Sequence, residues 1–168
     1  MPPFVPRQLA LLLALCFTAA SEAQLRVATW NCAALRGDLS AIRDILTEIA
    51  EDDIPGWSTP PAVLILQEVN EGDQVTLRNL LNSEVPGPTW RIATYTNSDS
   101  GGAQACIYRG ELLTESVSDH RDIFTGAGRF SDRWRFTIDA TNGSTGFWVY
   151  SCHLLSLIHI SEPTRQKP

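Results

Sequence analysis

The sequence predicts a layered α/β domain. Three observations predict it: an apolar stripe at helical spacing over Leu39–Glu51, a continuous apolar run over Ala62–Leu66, and a series of short β-rich segments that begins at Trp90. Helical spacing indicates a helix that packs by one face, whereas an unbroken apolar run of strand length is typical of a strand covered on both sides. The order strand, helix, strand, helix and then several strands favours a sheet-based core with helices packed against it.

The first half of the chain contains the predicted helices. Leu25–Trp30 alternates well enough to predict a strand. Asp38 then stands in the N-cap position of the helix predicted over Leu39–Glu51, because its side chain can accept a backbone N–H of the first turn. After the buried strand, Asn70 is predicted to cap a second helix over Glu71–Leu81.

The second half is predicted to consist of short strands, which span Trp90–Tyr95, Ala103–Tyr108, Glu111–Val117, Arg133–Asp139 and Phe147–Cys152. Asn142-Gly143 is a hairpin signal between the last two of these strands. Ser118–Ser131 contains two glycines and several charges without a period, which predicts a long loop. Loops of that length in a compact domain are often functional.

Both ends of the sequence are expected to lie outside the folded domain. Residues 1–23 are typical of a secretory signal peptide cleaved after Ala23, which predicts a secreted or periplasmic protein. Their apolar run of nine residues is too short to be a stable membrane anchor. Residues 155–168 are predicted to be a sequencing adapter and its run-on, since Leu155–Arg165 matches a translated transposase mosaic end. Lys167 is the only lysine of the chain, which agrees with a foreign origin of this segment.

The remaining segment, 24–154, is long enough for one core. Its 17 acidic residues and ten arginines give a net charge of −7. That balance argues against a protein that holds nucleic acid by bulk charge, since such proteins usually have a basic stripe. It is compatible with a metal enzyme, in which divalent cations supply the positive field at a phosphate. No feature implies an oligomer. One disulfide and one free thiol are compatible with its three cysteines, Cys32, Cys106 and Cys152.

Three polar side chains directly follow β-rich segments: Asn31, Glu68 and His153. Sites in open α/β sheets form outside such strand ends. A carboxylate at the end of a buried strand is costly unless it is paired or bound to a metal, and oxygen ligands suit Mg²⁺, Mn²⁺ or Ca²⁺. Other interpretations stay open at this point. Asn31 is also a common turn residue, Glu68 also suits a helix entry, and His153 also suits a partly buried structural position.

The blocks around these residues resemble a known superfamily. Leu25–Asn31, Leu64–Val69 and Val149–Leu154 are similar, in order and rough spacing, to the first three signature blocks of the endonuclease/exonuclease/phosphatase superfamily. Its members include deoxyribonuclease I, abasic-site exonucleases, neutral sphingomyelinases and inositol polyphosphate phosphatases. The resemblance implies a deoxyribonuclease I-like layered α/β sandwich, of which this chain holds the first half. It also implies metal-dependent hydrolysis of a phosphodiester or phosphomonoester.

The resemblance also implies roles for single residues. Glu68 would ligate the metal, Mg²⁺ or alternatively Mn²⁺ or Ca²⁺. Asn31 would orient the metal-bound groups and the phosphate, and His153 would hydrogen-bond a phosphate oxygen or assist the leaving group. His120 receives no role, because it lies in the predicted loop. Two interpretations stay open for Arg129, Arg133 and Arg135: they bind a phosphate ester, or they lie on a solvent-exposed face of a strand.

The sequence also departs from the superfamily. It has no match to the Gly-Asp-Phe-Asn-like block that activates the water or to the later Asp-His pair. Loss of these groups predicts an inactive fragment. The alternative is a non-catalytic secreted α/β binding module that keeps the scaffold. The expected partner is a phosphate ester, and the blocks present do not separate nucleic acid from sphingolipid or inositol phosphate.

Overall fold

The computed structural model describes residues 25–51, 60–97, 102–126 and 129–153. The predicted signal peptide, residues 1–23, and the predicted adapter, residues 155–168, lie outside the described residues. The described chain is mixed α/β, with two sheets and two α-helices. Neither of these helices has the length and apolar character needed to cross a membrane.

The α-helices are α1 (Leu39–Glu51) and α2 (Asp73–Glu84). The strands are β1 (Val27–Asn31), β2 (Val63–Val69), β3 (Trp90–Ile92), β4 (Ala103–Arg109), β5 (Leu113–Glu115), β6 (Arg121–Phe124), β7 (Phe130–Ile138) and β8 (Gly146–Cys152). Short 3₁₀ turns span Ala33–Leu35, Val117–Asp119 and Asp139–Thr141.

The first sheet has the strand order β1-β2-β4-β3. β1 and β2 are parallel, and Asn31 pairs with Gln67 at their carboxyl ends. β4 is antiparallel to both β2 and β3. Helix α1 connects β1 to β2, as a parallel pair requires. The polar residues that follow β1 and β2 therefore emerge at the same edge of this sheet.

The second sheet is built around β7. One edge of β7 pairs with β8, and the other edge pairs with β6 and then with β5. All these pairs are antiparallel. The hairpin predicted at Asn142-Gly143 is confirmed, because this dipeptide lies in the connection between β7 and β8. Both of its residues have positive φ angles, +51° and +72°, and they directly follow the 3₁₀ turn Asp139–Thr141.

Two apolar clusters separate three layers. The first cluster packs α1 and α2 against one face of the first sheet, and its fully buried members include Leu46, Leu66 and Leu77. The second cluster lies between the two sheets and includes Trp134 and Phe136 of β7. Both faces of β2 are therefore covered, which explains its continuous apolar run.

The prediction of α1 is confirmed with its bounds unchanged. Its cap is also as predicted, since Asp38 accepts the Ser40 N–H through Oδ1 at 2.9 Å. The prediction that Asn70 caps the second helix is wrong. Helix α2 begins at Asp73, after Gly72 has turned the chain with a φ of +96°, and Asp73 instead accepts the backbone N–H of Asn70.

The long loop predicted over Ser118–Ser131 is also wrong. It contains β6, and β7 already begins at Phe130. The strand was hidden because Asp122 and Asp132 point inward, where an apolar residue would have revealed the alternation. The other predicted strands exist with shifted ends, which is the usual error of sequence patterns.

Candidate active site at the strand ends

The structure brings together Asn31, Glu68 and His153, the three residues selected at strand ends. Asn31 ends β1, Glu68 lies near the end of β2, and His153 follows β8. β8 belongs to the second sheet, so the contact between Glu68 and His153 joins the two sheets. The site is therefore assembled from segments far apart in the sequence.

All three side chains meet at one carboxylate oxygen. Asn31 Nδ2 donates to Glu68 Oε1 at 3.0 Å. His153 Nε2 lies 3.5 Å from the same Oε1. Glu68 Oε2 accepts no hydrogen bond from any of the described residues, and the Glu68 side chain keeps 30 % of its exposure. One carboxylate oxygen is thus held by neighbours while the other is available to a ligand.

The orientation of Asn31 is fixed from both sides. Its Oδ1 accepts the backbone N–H of Ala33 at 3.0 Å, while its Nδ2 is turned toward Glu68. The turn that follows, Ala33–Leu35, has positive φ angles and keeps this N–H close to the strand end. In this structure Asn31 positions the Glu68 carboxylate, and only the second lone pair of its Oδ1 remains for a metal.

The backbone at Glu68 is unusual for a non-glycine residue. Its φ angle is +55°, at an irregularity in the pairing of β2 with β4 between Leu66 and Val69. Residues in this left-handed region cost free energy and cluster at functional sites. Gly102 packs against this point so closely that a Cβ added there would lie 2.7 Å from Glu68 Cα. The bulge turns the carboxylate out of the regular strand pattern.

His153 is less exposed than Glu68. Its side chain keeps 18 % of its exposure, and its Nδ1 is buried without a hydrogen-bond partner among the described residues. With Nε2 directed at Glu68, the imidazole can present a proton next to the carboxylate. The arrangement suits an acid or hydrogen-bond donor beside a metal-binding oxygen.

The donor set fits a hard divalent cation. Mg²⁺ is usually held by one or two carboxylates and keeps several waters. Glu68 supplies a partly exposed carboxylate, and Asn31 supplies an amide at its side. The site therefore has the oxygen chemistry that Mg²⁺, Mn²⁺ or Ca²⁺ takes, and Glu68 and Asn31 are the residues that could hold it.

The side chains of Tyr95, which is partly buried, and Cys32, which is buried, contact the backbone at the end of β2. Tyr95 donates its hydroxyl to the carbonyl oxygen of Val69 at 3.1 Å, and burial followed by the charge of Asp73 raises the pKa of Tyr95 to about 12. The Cys32 thiol donates to the carbonyl oxygen of Gln67 at 3.2 Å. Burial, and then the charge of Asp73, raises the pKa of Cys32 to about 11. Both groups stay protonated at neutral pH and hold the end of β2. Sequence patterns had not selected Tyr95.

The three cysteines are free thiols in the structure. Cys32 and Cys106 are buried in different apolar clusters, and Cys152 is exposed at the end of β8. The disulfide that the cysteine count allowed is therefore not formed among them. Burial raises the pKa of Cys106 well above its ordinary range.

The arginines considered for phosphate binding make other contacts. The Arg133 guanidinium lies 4.4 Å from the centre of the Trp148 ring and donates to the carbonyl oxygen of Asp119 at 3.2 Å. Arg135 donates to the Asp119 carboxylate at 3.1 Å. Arg129 is buried just before β7. Arg135 is exposed. A position on a solvent-exposed strand face therefore describes Arg135 better than a phosphate-binding role.

A second cluster of titratable side chains, which the sequence patterns do not predict, is formed by His120, Asp122 and Asp132. His120, Asp122 and Asp132 present ligand atoms that all lie within 4.8 Å of one another. His120 had no predicted role, because its segment was predicted to be a loop. Its alternation with Asp122 was the signal available, since residues two apart in a strand share a face.

No family model matches the chain, and no curated protein sequence matches it either.

Proposed function

We propose that this chain is the N-terminal part of a secreted or periplasmic, divalent-metal-dependent phosphoesterase of the endonuclease/exonuclease/phosphatase superfamily. The observation that carries the proposal is the meeting of Asn31, Glu68 and His153 at Glu68 Oε1. These are the residues that the resemblance assigns to the metal and phosphate site. Their contact across two sheets is what such a site requires.

The proposal includes a finer description of the fold. We propose that the three layers belong to a deoxyribonuclease I-like sandwich, in which this chain supplies the first half. Helices packed on one face of the first sheet, and a second sheet packed on its other face, support that assignment. The outer face of the second sheet exposes Trp148 and Tyr150. Exposed aromatic side chains of this kind suit a face that the second half of the domain would cover.

Each residue has a role in the proposed reaction. Glu68 binds a divalent cation, Mg²⁺ or alternatively Mn²⁺ or Ca²⁺, with Asn31 holding the carboxylate in place. The bound cation would neutralise charge that builds on the phosphate during hydrolysis by water. His153 donates a hydrogen bond to a phosphate oxygen or to the leaving group. The substrate is a phosphodiester or phosphomonoester, with nucleic acid as one candidate.

We propose that the chain by itself is an inactive fragment. The superfamily places its water-activating Asp and Asn and its Asp-His pair in blocks that this sequence does not contain. Removing members of such a set costs most of the turnover. The alternative is a non-catalytic binding module that retains the scaffold. Sequencing across the Leu154 codon separates the two, because an enzyme gene continues into a Gly-Asp-x-Asn block and an Asp-His pair.

Metal binding tests the site without requiring turnover. Mn²⁺ titration of the chain, followed by electron paramagnetic resonance, should show binding that the Glu68→Gln variant weakens at least tenfold. The matched control is Glu71→Gln, an exposed carboxylate three residues further along the chain, and it should leave the affinity unchanged. Equal affinity for the two variants would refute the assignment of Glu68 as a ligand.

An activity measurement tests the fragment proposal separately. The chain should show no Mg²⁺-dependent hydrolysis of duplex DNA or of a generic phosphodiester. Robust turnover that disappears in Glu68→Ala would refute the inactive fragment while supporting the site. Turnover that survives in Glu68→Ala would contradict the proposed role of Glu68.

A further inference from the structure

The second cluster of titratable side chains, His120, Asp122 and Asp132, lies between the sheets on β6 and β7. Asp122 of β6 pairs directly with Asp132 of β7, so both carboxylates extend from the same face of the sheet. His120 stands two residues before Asp122 and therefore reaches the same side. Ser151 of β8 pairs with Asp132 on the opposite edge of β7. One row across three strands thus carries two carboxylates and a hydroxyl, with an imidazole at its end.

The ligand atoms of this group are close enough together for one metal ion to bind them. The ligand atoms of His120, Asp122 and Asp132 all lie within 4.8 Å of one another. His120 Nε2 and Asp122 Oδ1 are 3.5 Å apart. Two ligands of a tetrahedral ion with bonds of 2.0–2.2 Å are separated by about 3.4 Å. The pair is therefore already at the spacing that a shared ion imposes.

Burial and missing hydrogen bonds point to a ligand at this place. The His120 side chain is only 8 % exposed, yet its Nε2 makes no hydrogen bond to the described residues. Ser151 is 3 % exposed, and its Oγ has no hydrogen-bond partner among those residues. Buried polar atoms are normally satisfied, because an unmade hydrogen bond costs about 1–3 kcal/mol. A cation bound by the two carboxylates would also satisfy the His120 imidazole nitrogen.

Neighbouring residues hold the ligands in position. Thr96 Oγ1 lies 2.7 Å from both carboxylate oxygens of Asp122 and donates to them. The His120 ring packs against Trp134, with ring centres 5.8 Å apart. Such outer contacts orient ligating carboxylates and imidazoles in known metal sites. They also attach the segment after β3 to β6.

From these observations we propose that His120, Asp122 and Asp132 bind a divalent transition metal of the zinc class, with Ser151 beside them. Imidazole nitrogen suits Zn²⁺, whereas Mg²⁺ and Ca²⁺ take oxygen ligands. Two of the three ligands, His120 and Asp132, are buried, which favours a structural ion over one that is open to a substrate. The metal links β6 to β7 inside the core. The proposal is independent of the function assigned to Glu68.

The test is Zn²⁺ binding to the full chain in a Glu68→Gln/His153→Ala background, which removes the imidazole and carboxylate of the other site. Equilibrium dialysis with metal analysis should show that this background retains one equivalent of Zn²⁺. Asp122→Asn in the same background should weaken the affinity at least tenfold. Asp44→Asn, which changes an exposed carboxylate of α1, is the matched control and should have no effect.

Two further measurements keep the test decisive if Asp122→Asn does not fold. Thr96→Val leaves every ligand in place but removes the hydroxyl that holds Asp122, so Zn²⁺ affinity should fall by about 10–100-fold. X-ray absorption of the zinc-loaded background should show one imidazole at about 2.0–2.1 Å with oxygen ligands and no sulfur. The proposal is overturned by a background that retains no Zn²⁺, by equal affinity of Asp122→Asn and Asp44→Asn, or by a spectrum without imidazole.

Discussion

Replacing Gly102 by alanine tests how closely the chain packs against Glu68. Gly102 has a φ of +93°, a conformation that alanine adopts only with strain. Its missing side chain also leaves the space that Glu68 occupies, because an added Cβ would lie 2.7 Å from Glu68 Cα and 2.9 Å from the Glu68 carbonyl carbon. These are backbone atoms, so the clash cannot be relieved by rotating a side chain.

The expected loss of stability has three parts. Backbone strain costs about 1–3 kcal/mol, and the clash adds about 1–3 kcal/mol in the range of other overpacked sites. Alanine has less conformational entropy than glycine in the unfolded chain, which offsets about 0.4–1 kcal/mol of this loss. Gly102→Ala should therefore lower the free energy of unfolding by about 1–6 kcal/mol.

Gly87→Ala is the matched control. Gly87 has a similar φ of +106°, but nothing lies within 4 Å of its added Cβ. The two variants share the strain and the unfolded-state effect, so their difference isolates the clash at about 1–3 kcal/mol. Urea unfolding followed by tryptophan fluorescence measures it. With a slope of about 2 kcal/mol per molar urea, the midpoints should differ by about 0.5–1.5 M. Equal midpoints would refute the close approach of Gly102 to Glu68.

Three further predictions concern the core, the first helix and the thiols. Leu46→Ala should lower the free energy of unfolding in urea by about 2–5 kcal/mol, because Leu46 is fully buried. Leu39→Ala changes an exposed position of the same helix and should cost about 0.5 kcal/mol or less. Similar losses for the two variants would contradict the packing of α1. A backbone hydrogen bond from the first turn lowers the pKa of Asp38 below its ordinary value of 3.8. The charged Asp38 carboxylate therefore stabilises the fold above pH 3.8, and this stabilisation is lost as the pH falls through the lowered pKa. The urea midpoints of wild type and Asp38→Ala should differ at pH 7 and converge toward pH 2. A difference that stays constant with pH would contradict a charged cap. Iodoacetamide at pH 8 should modify the exposed Cys152 well before the buried Cys106, as peptide mass spectrometry can follow, and equal rates would contradict the burial of Cys106.

The sequence was sufficient where local patterns decide the structure. The apolar spacing of α1 and the Asp38 cap determine that helix within one segment of the chain, and its bounds were predicted correctly. The continuous apolar run of β2 indicated a strand with two covered faces for the same reason. The start of α2 was missed because a glycine turn, and not the cap residue Asn70, sets it.

Asn31, Glu68 and His153 could be selected from the sequence because polar residues after β-rich segments stand out locally. Only the tertiary structure decides that they meet at one carboxylate oxygen, since the contact depends on the parallel pairing of β1 with β2 and on the packing of β8 nearby. The bulge that gives Glu68 its positive φ also depends on β4, a distant strand.

The group of His120, Asp122 and Asp132 was not predicted from the sequence, although His120 and Asp122 stand two residues apart. Inward polar residues remove the apolar alternation by which a strand is recognised, so the segment resembled a loop. Strand pairing between β6 and β7 then places Asp122 opposite Asp132, ten positions away, and packing buries His120 and Asp132. Periodicity in the sequence determined helix α1 and the buried strand of this protein. Pairing between distant strands decided which polar side chains share a site, because that contact is made across the sheet and not along the chain.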